Sequence, residues 1–323
     1  MTHAPGESKT DATAAPLTAI SHSARQVIVV ANPYSGRREN RSRVEALAAA
    51  LGDRGLQCRI IWQLPELAEV AADPTAPEHY RAVVAAGGDG TLNHVINLQT
   101  RLPIFMFPLG NENLFAQQFE GCRDPRRAAE ILAAGAMRTI DLGRAGQRLF
   151  VIVASAGFDG DTAHRLARWR QQSDGLRRVR SLSYAAPIVA AAFGYRYPLL
   201  DVEADGRRVR GALCMVFNVP RYTSKLLLTP DADPSDGLLD WIVFERPGNL
   251  PLVGYALAVW LRRHRRLQDV QYGQAKHIRL SAAEPVPLEI DGEAADFAPI
   301  DIEVLPQALR VVVPPPSGQV LAE

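Results

Sequence analysis

Three glycines and an aspartate carry the strongest chemical signal in the sequence. The apolar run Val83, Val84, Ala85 and Ala86 passes into Gly87, Gly88, Asp89, Gly90 and Thr91; Leu92, Val95 and Ile96 then recur at helical spacing. A glycine turn between strand and helix lets main-chain N–H groups approach a phosphate, and the helix N-terminus adds partial positive charge. Asp89 would repel phosphate, so it suits a metal ion or a hydroxyl that must lose its proton. An ordinary strand-to-helix turn capped by an aspartate explains the same residues about as well. Two acidic stretches lie further on. Asp231, Asp233 and Asp236 crowd before a strand that itself carries Asp240, and Asp291, Gly292 and Glu293 follow one. Each also suits a plain turn.

Strand and helix signals alternate through the first half. Residues 26–31, 57–62, 81–86 and 103–107 read as strands; residues 43–51, 67–72, 91–98, 113–118 and 126–134 read as helices. This predicts an α/β fold, with an N-terminal three-layer parallel-sheet nucleotide-binding domain over residues 26–142. Ligands of such sheets lie at the carboxyl ends of strands, where residues 32–36, 87–91 and 108–113 fall. Residues 143–313 predict a mostly antiparallel β-sandwich domain. Its strands are expected at 149–154, 199–204, 209–217, 238–244, 276–280, 286–290, 300–304 and 309–313, with helices at 182–193 and 250–266. The last strand can return to the first domain. Residues 1–25, rich in Thr, Ala, Ser and Pro, and residues 314–323 read as tails.

The 323 residues are 47% hydrophobic and 22% charged, which excludes a disordered or fibrous protein. Lys+Arg is 36 and Asp+Glu is 35, a net charge of +1, so nucleic acid is not the expected partner. Lys9, Lys225 and Lys276 are the only lysines. Cys58, Cys122 and Cys214 lie far apart with no CxxC spacing, which predicts a reducing compartment and no structural zinc. No apolar run reaches the roughly 18 residues that span a bilayer, and the start lacks a signal-peptide pattern. A cytoplasmic location is the expectation.

The GGDGT turn resembles that of the superfamily holding diacylglycerol kinases, sphingosine kinases, NAD kinases and phosphofructokinases. The order of the other motifs narrows this. Asn32, Pro33, Tyr34, Ser35 and Gly36 resemble the N-P-x-S-G of the diacylglycerol kinase catalytic family. Residues 108–116 resemble its P-x-G-T-x-N-D-F-A, with Asn111 in place of Thr and Leu114 in place of Asp. Residues 230–239 resemble its P-x-A-x-x-x-D-G-x-(L/F), residues 291–293 its D-G-E, and residues 155–159 its G-x-G-x-D segment. The resemblance covers residues 27–313.

It implies an ATP-dependent lipid kinase that transfers the γ-phosphoryl group to a lipid hydroxyl, such as diacylglycerol or a sphingoid-type alcohol. It implies nucleotide contacts at Asn32, Pro33, Tyr34, Ser35, Gly36, Gln63, Gly87, Gly88, Asp89, Gly90, Thr91, Asn93 and Asn111. Mg²⁺ would lie on Asp233, Asp236 and the main-chain carbonyl of Leu238. Glu293 would accept the substrate proton, with Asp89 as second candidate, and Asp159 would meet the lipid head group. His94 stands where the family usually has Glu.

A lipid substrate implies peripheral association with a membrane surface. The apolar stretch 250–267 carries Arg262, Arg263, Arg265 and Arg266 near its end, each worth about 1 kcal/mol near a charged leaflet. The solvated end of a helix explains them as well. Arg177, Arg178 and Arg180 form a weaker basic cluster. A homodimer is compatible with the sequence. Two other readings stand. A small-molecule kinase of the NAD kinase type is opposed by residues 32–36 and 291–293. A lipid-binding pseudokinase is motivated by Asn111, Leu114 and His94 and opposed by Asp89, Asp236 and Glu293.

Overall fold

The structure is a computed structural model that describes residues 17–20, 23–31, 38–110, 112–172, 198–223 and 226–315. The loop 32–36, Asn111, the expected helix 182–193 and Arg177, Arg178 and Arg180 lie outside the described residues. The first half runs β1 (Thr18–Ala19), β2 (Gln26–Ala31), α1 (Arg38–Gly52), β3 (Gln57–Ile61), α2 (Leu64–Ala72), α3 (Ala76–His79), β4 (Tyr80–Gly87), α4 (Asp89–Asn97), β5 (Ile104–Pro108), α5 (Leu114–Gln118) and α6 (Pro125–Ala134). β3, β2, β4 and β5 lie side by side in that order, all parallel. Strands that are apolar on both faces must be covered on both. Ile28, Val30, Val83 and Ala85 share a core with Leu67 and Val70 of α2 and Leu92 and Val95 of α4. Val27, Val29, Val84 and Phe105 share another with Val44 and Leu47 of α1 and Ile131 and Leu132 of α6. These are the three layers that the alternation predicts.

The second half runs β6 (Ala136–Ala145), β7 (Arg148–Phe150), β8 (Val153–Gly157), α7 (Phe158–Gln172), β9 (Leu200–Ala204), β10 (Arg207–Gly211), β11 (Leu213–Phe217), β12 (Leu239–Phe244), α8 (Asn249–Trp260), β13 (Val270–Ala275), β14 (His277–Ser281), β15 (Val286–Ile290), β16 (Glu293–Ala298) and β17 (Ile300–Val312). One sheet is antiparallel throughout, in the order β13-β12-β11-β8-β15-β16. The other is the first sheet continued: β17 joins β5 and carries β14, β9 and β10 beyond it. Val202, Trp241, Ile278, Leu288 and Ile302 fill the space between the sheets. β17 serves both halves. Val311 pairs in parallel with Ile104 of β5, while Ile300 and Ile302 pair with Leu280 and Ile278 of β14.

Several expectations change. Residues 300–304 and 309–313 are one strand, irregular between Leu305 and Leu309 in its pairing with β6. Residues 149–154 are two: β7 pairs with β6 in the first sheet and β8 lies in the second. Residues 209–217 likewise cross from β10 to β11. The helix expected to reach residue 266 stops at Trp260; Arg262 is left-handed (φ 55°), and His264–Arg266 is a separate 3₁₀ turn. β6, α7, β13 and β16 carry no clear sequence signal, since polar residues interrupt their apolar pattern. Gly143 lies inside β6.

Candidate active site

The glycine turn forms where β4 and β5 leave the sheet. Gly87 accepts bonds on its carbonyl from the amides of Leu109 (2.7 Å) and Gly110 (3.2 Å), which clamps the two exits together. A Cβ on Gly110 would stand 2.6 Å from the Cα of Gly88, so only glycine allows this approach. Gly110→Ala is expected to cost about 1–3 kcal/mol by forcing the loops apart. Calorimetry measures this; an unchanged melting temperature would show the loops can yield. Gly88 precedes α4 in an extended conformation. Thr91 gives its amide to the Gly88 carbonyl (3.0 Å), and its side chain folds over Gly87. Asp89 and Gly90 open the helix, where amides lack intrahelical acceptors. Gln63 stands at the N-cap position of α2 without a side-chain capping bond, at the exit of β3 on the same edge of the sheet.

Asp89 turns towards the next loop. Its Oδ2 accepts from Leu114 N (3.1 Å) and its Oδ1 from Phe115 N (3.3 Å), so it caps the start of α5. Burial raises its pKa against the pull of those amides. Asn113, left-handed at φ 51°, closes the loop by bonding Gly110 in both directions. Leu114, where the motif resemblance expects an acid, packs against the core. His94 is exposed. Asp89→Asn is expected to lower stability by about 1 kcal/mol, the usual cost of a weakened cap. Urea unfolding measures it.

Behind the turn, α4 is bolted to the second half. Asn97 Oδ1 accepts from Leu149 N (2.9 Å), and its Nδ2 donates to Leu149 O (3.1 Å). Asn93 Nδ2 donates to Asp291 Oδ2 (3.2 Å). Asp291 also accepts from the amides of Val151 (2.9 Å), Ile152 (2.9 Å) and Val153 (3.0 Å). These bonds divide β7 from β8 and hold the β15–β16 turn against α4. Burial pushes the Asp291 pKa up to about 6. The turn delivers Glu293: a Cβ on Gly90 would lie 3.2 Å from Glu293 Oε1. Glu293 Oε2 accepts from Arg148 Nη2 (3.2 Å). The GGDGT turn and the D-G-E turn therefore meet, and Asn93 reaches the second turn's aspartate.

Asp159 and Tyr222, both half-buried, close a cluster whose other members, Ser155 and Glu289, are buried. Asp159 accepts from Tyr222 Oη (2.6 Å) and contacts Ser155 Oγ (2.7 Å), which also lies 2.9 Å from Glu289 Oε2. Ser155 has one proton for two carboxyl groups, so satisfying both contacts requires a protonated acid. Burial and mutual repulsion raise Glu289 well above the usual range; burial raises Asp159. Glu289 accepts from Gly292 N, which links the cluster to the Glu293 turn.

The 233–238 loop is fastened elsewhere. Asp141 accepts from Gly237 N (2.7 Å) and Gln307 N (2.7 Å), while its own amide bonds Pro234 O (2.6 Å). Asp236 accepts from Leu238 N (2.9 Å) and Gln274 (3.1 Å); Asp233 accepts from Ser235. Among the described residues no group of three His, Cys, Asp or Glu side chains is arranged to hold a metal. Two carboxylates and the Leu238 carbonyl remain. Burial, with repulsion from Asp233 and Asp141, pushes Asp236 upward. All-oxygen donors carrying uncompensated negative charge fit a hard cation that keeps several waters.

Asp141, Arg148, Asn97, Tyr222 and Glu289 carry no motif. Asp141 and Glu289 each sit between two apolar residues of a strand, and an acid in that setting must find buried partners.

Two family models match the chain. The family described as diacylglycerol kinase catalytic domain matches residues 26–145, and the YegS C-terminal NAD kinase beta sandwich-like domain matches residues 152–313. The chain belongs to the diacylglycerol kinase catalytic family. Relatives include a diacylglycerol kinase of Mycobacterium tuberculosis (strain H37Rv), 27% identical over 91% of this chain and 96% of the relative. One of Bacillus subtilis (strain 168) is 26% identical over 78% of this chain and 84% of the relative. A putative diacylglycerol kinase from Bacillus anthracis shares the fold, with a TM-score of 0.67 at 19% identity over 90% of this chain and 97% of that one. As a member of this kinase family, the chain joins the family's glycine turn to its carboxylate turn through Asn93 and Asp291. Among the described residues no helix is long and apolar enough to cross a membrane.

Proposed function

We propose that the chain transfers the γ-phosphoryl group of ATP to the hydroxyl of a diacylglycerol-type lipid. The observation that carries this is the placement of Glu293 against Gly90 of the glycine turn. The triphosphate lies over the main chain of residues 87–90, whose amides and helix dipole hold it. The lipid hydroxyl oxygen attacks the γ-phosphorus. The bond from that phosphorus to its bridging oxygen breaks, ADP leaves, and the hydroxyl proton passes to Glu293. Arg148 holds one carboxylate oxygen and leaves the other on the side of the turn. Asp89, whose oxygens both accept from α5, positions the 110–115 loop.

Asp233, Asp236 and the Leu238 carbonyl would hold Mg²⁺. Bound there, the ion supplies positive charge that offsets the crowded acids and steadies the loop on Asp141. Asp159 and its partners form the wall behind the Glu293 turn, on the side proposed for the lipid head group. The remaining proposals are a cytoplasmic enzyme that visits the membrane surface, a division into residues 26–142 and 143–313, and nucleotide contacts from residues 32–36, Gln63 and Asn111.

The second half's likeness to an NAD kinase-type sandwich keeps a small-molecule kinase as the second reading. Purified protein offered ATP with either NAD or dispersed diacylglycerol separates the two. Phosphorylated lipid is expected. Phosphorylated NAD alone would replace this reading.

A further inference from the structure

Helix α8 is apolar on two opposite sides. Tyr255 and Val259 are buried against Phe244 and Val270. Leu250, Val253, Leu257, Trp260 and Leu261 form a second stripe at helical spacing, and they are 84%, 63%, 54%, 70% and 48% exposed. A surface helix ordinarily turns polar residues to water, and an apolar patch of this kind marks an interaction site.

The stripe runs into Arg262, Arg263 and Arg266, all exposed. Their neighbours Arg246 and Arg265 are instead paired with Asp269 and Asp231. No acidic residue occurs between Glu245 and Asp269. Apolar side chains, cations that are unpaired among the described residues and a tryptophan at their junction complement one kind of partner, a bilayer with anionic head groups. Beside the stripe, Phe158, Leu213, Phe244, Arg246, Leu252 and Tyr255 line a small opening of about 20 Å³, and Phe158 directly precedes Asp159.

We propose that α8 and the arginines after it dock the enzyme on an anionic bilayer, with the helix lying flat in the head-group layer. The proposal rests on the lipid-kinase reading and names the surface that meets the lipid. It places the membrane next to the opening beside Phe158.

The test is flotation of the full chain with vesicles of phosphatidylcholine plus phosphatidylglycerol, and with phosphatidylcholine alone. Two variants are compared: Leu257→Ser/Trp260→Ser and Arg262→Glu/Arg263→Glu/Arg266→Glu. The wild type is expected to float with anionic vesicles and to be released by salt. Each variant is expected to bind them roughly tenfold or more weakly. Each should keep its melting temperature and its activity on water-dispersed short-chain diacylglycerol. Wild-type binding by both variants, or equal binding to phosphatidylcholine alone, would overturn the proposal. So would a wild-type dimer that the serine variant converts to monomers, because the stripe would then belong to a second copy. Loss of dispersed-substrate activity in the folded variants would also overturn it by making the stripe part of the substrate cleft. A wild type that floats yet phosphorylates no lipid would defeat the kinase reading and leave the docking surface standing.

Discussion

Glu293→Gln is expected to lower turnover by about a hundred- to ten-thousandfold, the range for losing a positioned general base. Glutamine has nearly the same shape, keeps an oxygen for Arg148 and preserves the contact with Gly90. The Arg148–Glu293 pair is partly exposed, with side chains 30% and 40% accessible, so its loss costs at most about 1 kcal/mol. The fold and the KM for ATP should therefore survive while kcat collapses. Asp89→Asn should lose far less turnover, because that carboxylate works as a cap for α5. Steady-state kinetics on both variants decides between them. A larger loss in Asp89→Asn would move the proton acceptor to Asp89.

Asp291→Ala is expected to destabilise the fold by about 3 kcal/mol or more at neutral pH. It removes the acceptor for three buried amides and for Asn93, each an expensive group to leave unpaired. Asp291 is also left-handed, at φ 48°, which alanine tolerates poorly. The loss should depend on pH. Burial pushes Asp291 from 3.8 up to about 6, so the folded chain takes the proton more readily than the unfolded one. Its stability contribution is then fullest below about pH 4 and falls as pH rises through about 6, by about 3 kcal/mol in total. The gap between wild type and Asp291→Ala should narrow over that interval. Urea titrations at several pH values measure it, and a gap that widens with rising pH would contradict the assignment. Activity should fall with stability, since the same bonds hold α4 against the Glu293 turn.

The parallel half of the fold was legible because its strands are apolar runs bounded by turn residues. β2 and β15 coincide with the stretches read from sequence. The crossings between sheets were not legible. Val151 and Ile152 are apolar like their neighbours, and what breaks the strand there is Asp291, 140 residues from Val151. The motifs named the residue types at the site but not their partners. Asn93 read as a nucleotide contact and is buried on Asp291. Asp89 read as a metal or proton site and is bonded to the amides of Leu114 and Phe115. Asp141, alone between Ile140 and Leu142, gave no motif although it holds two segments distant in sequence. Spacing along a chain reports local geometry; these bonds close only when distant strands pair.

The most direct measurement follows the terminal phosphate of radiolabelled ATP after incubation with purified protein, Mg²⁺ and diacylglycerol in detergent micelles. Label in phosphatidic acid with the wild type, and almost none with Glu293→Gln, is the expected result. Label that stays in ATP, or equal labelling of the lipid by both proteins, would contradict the account.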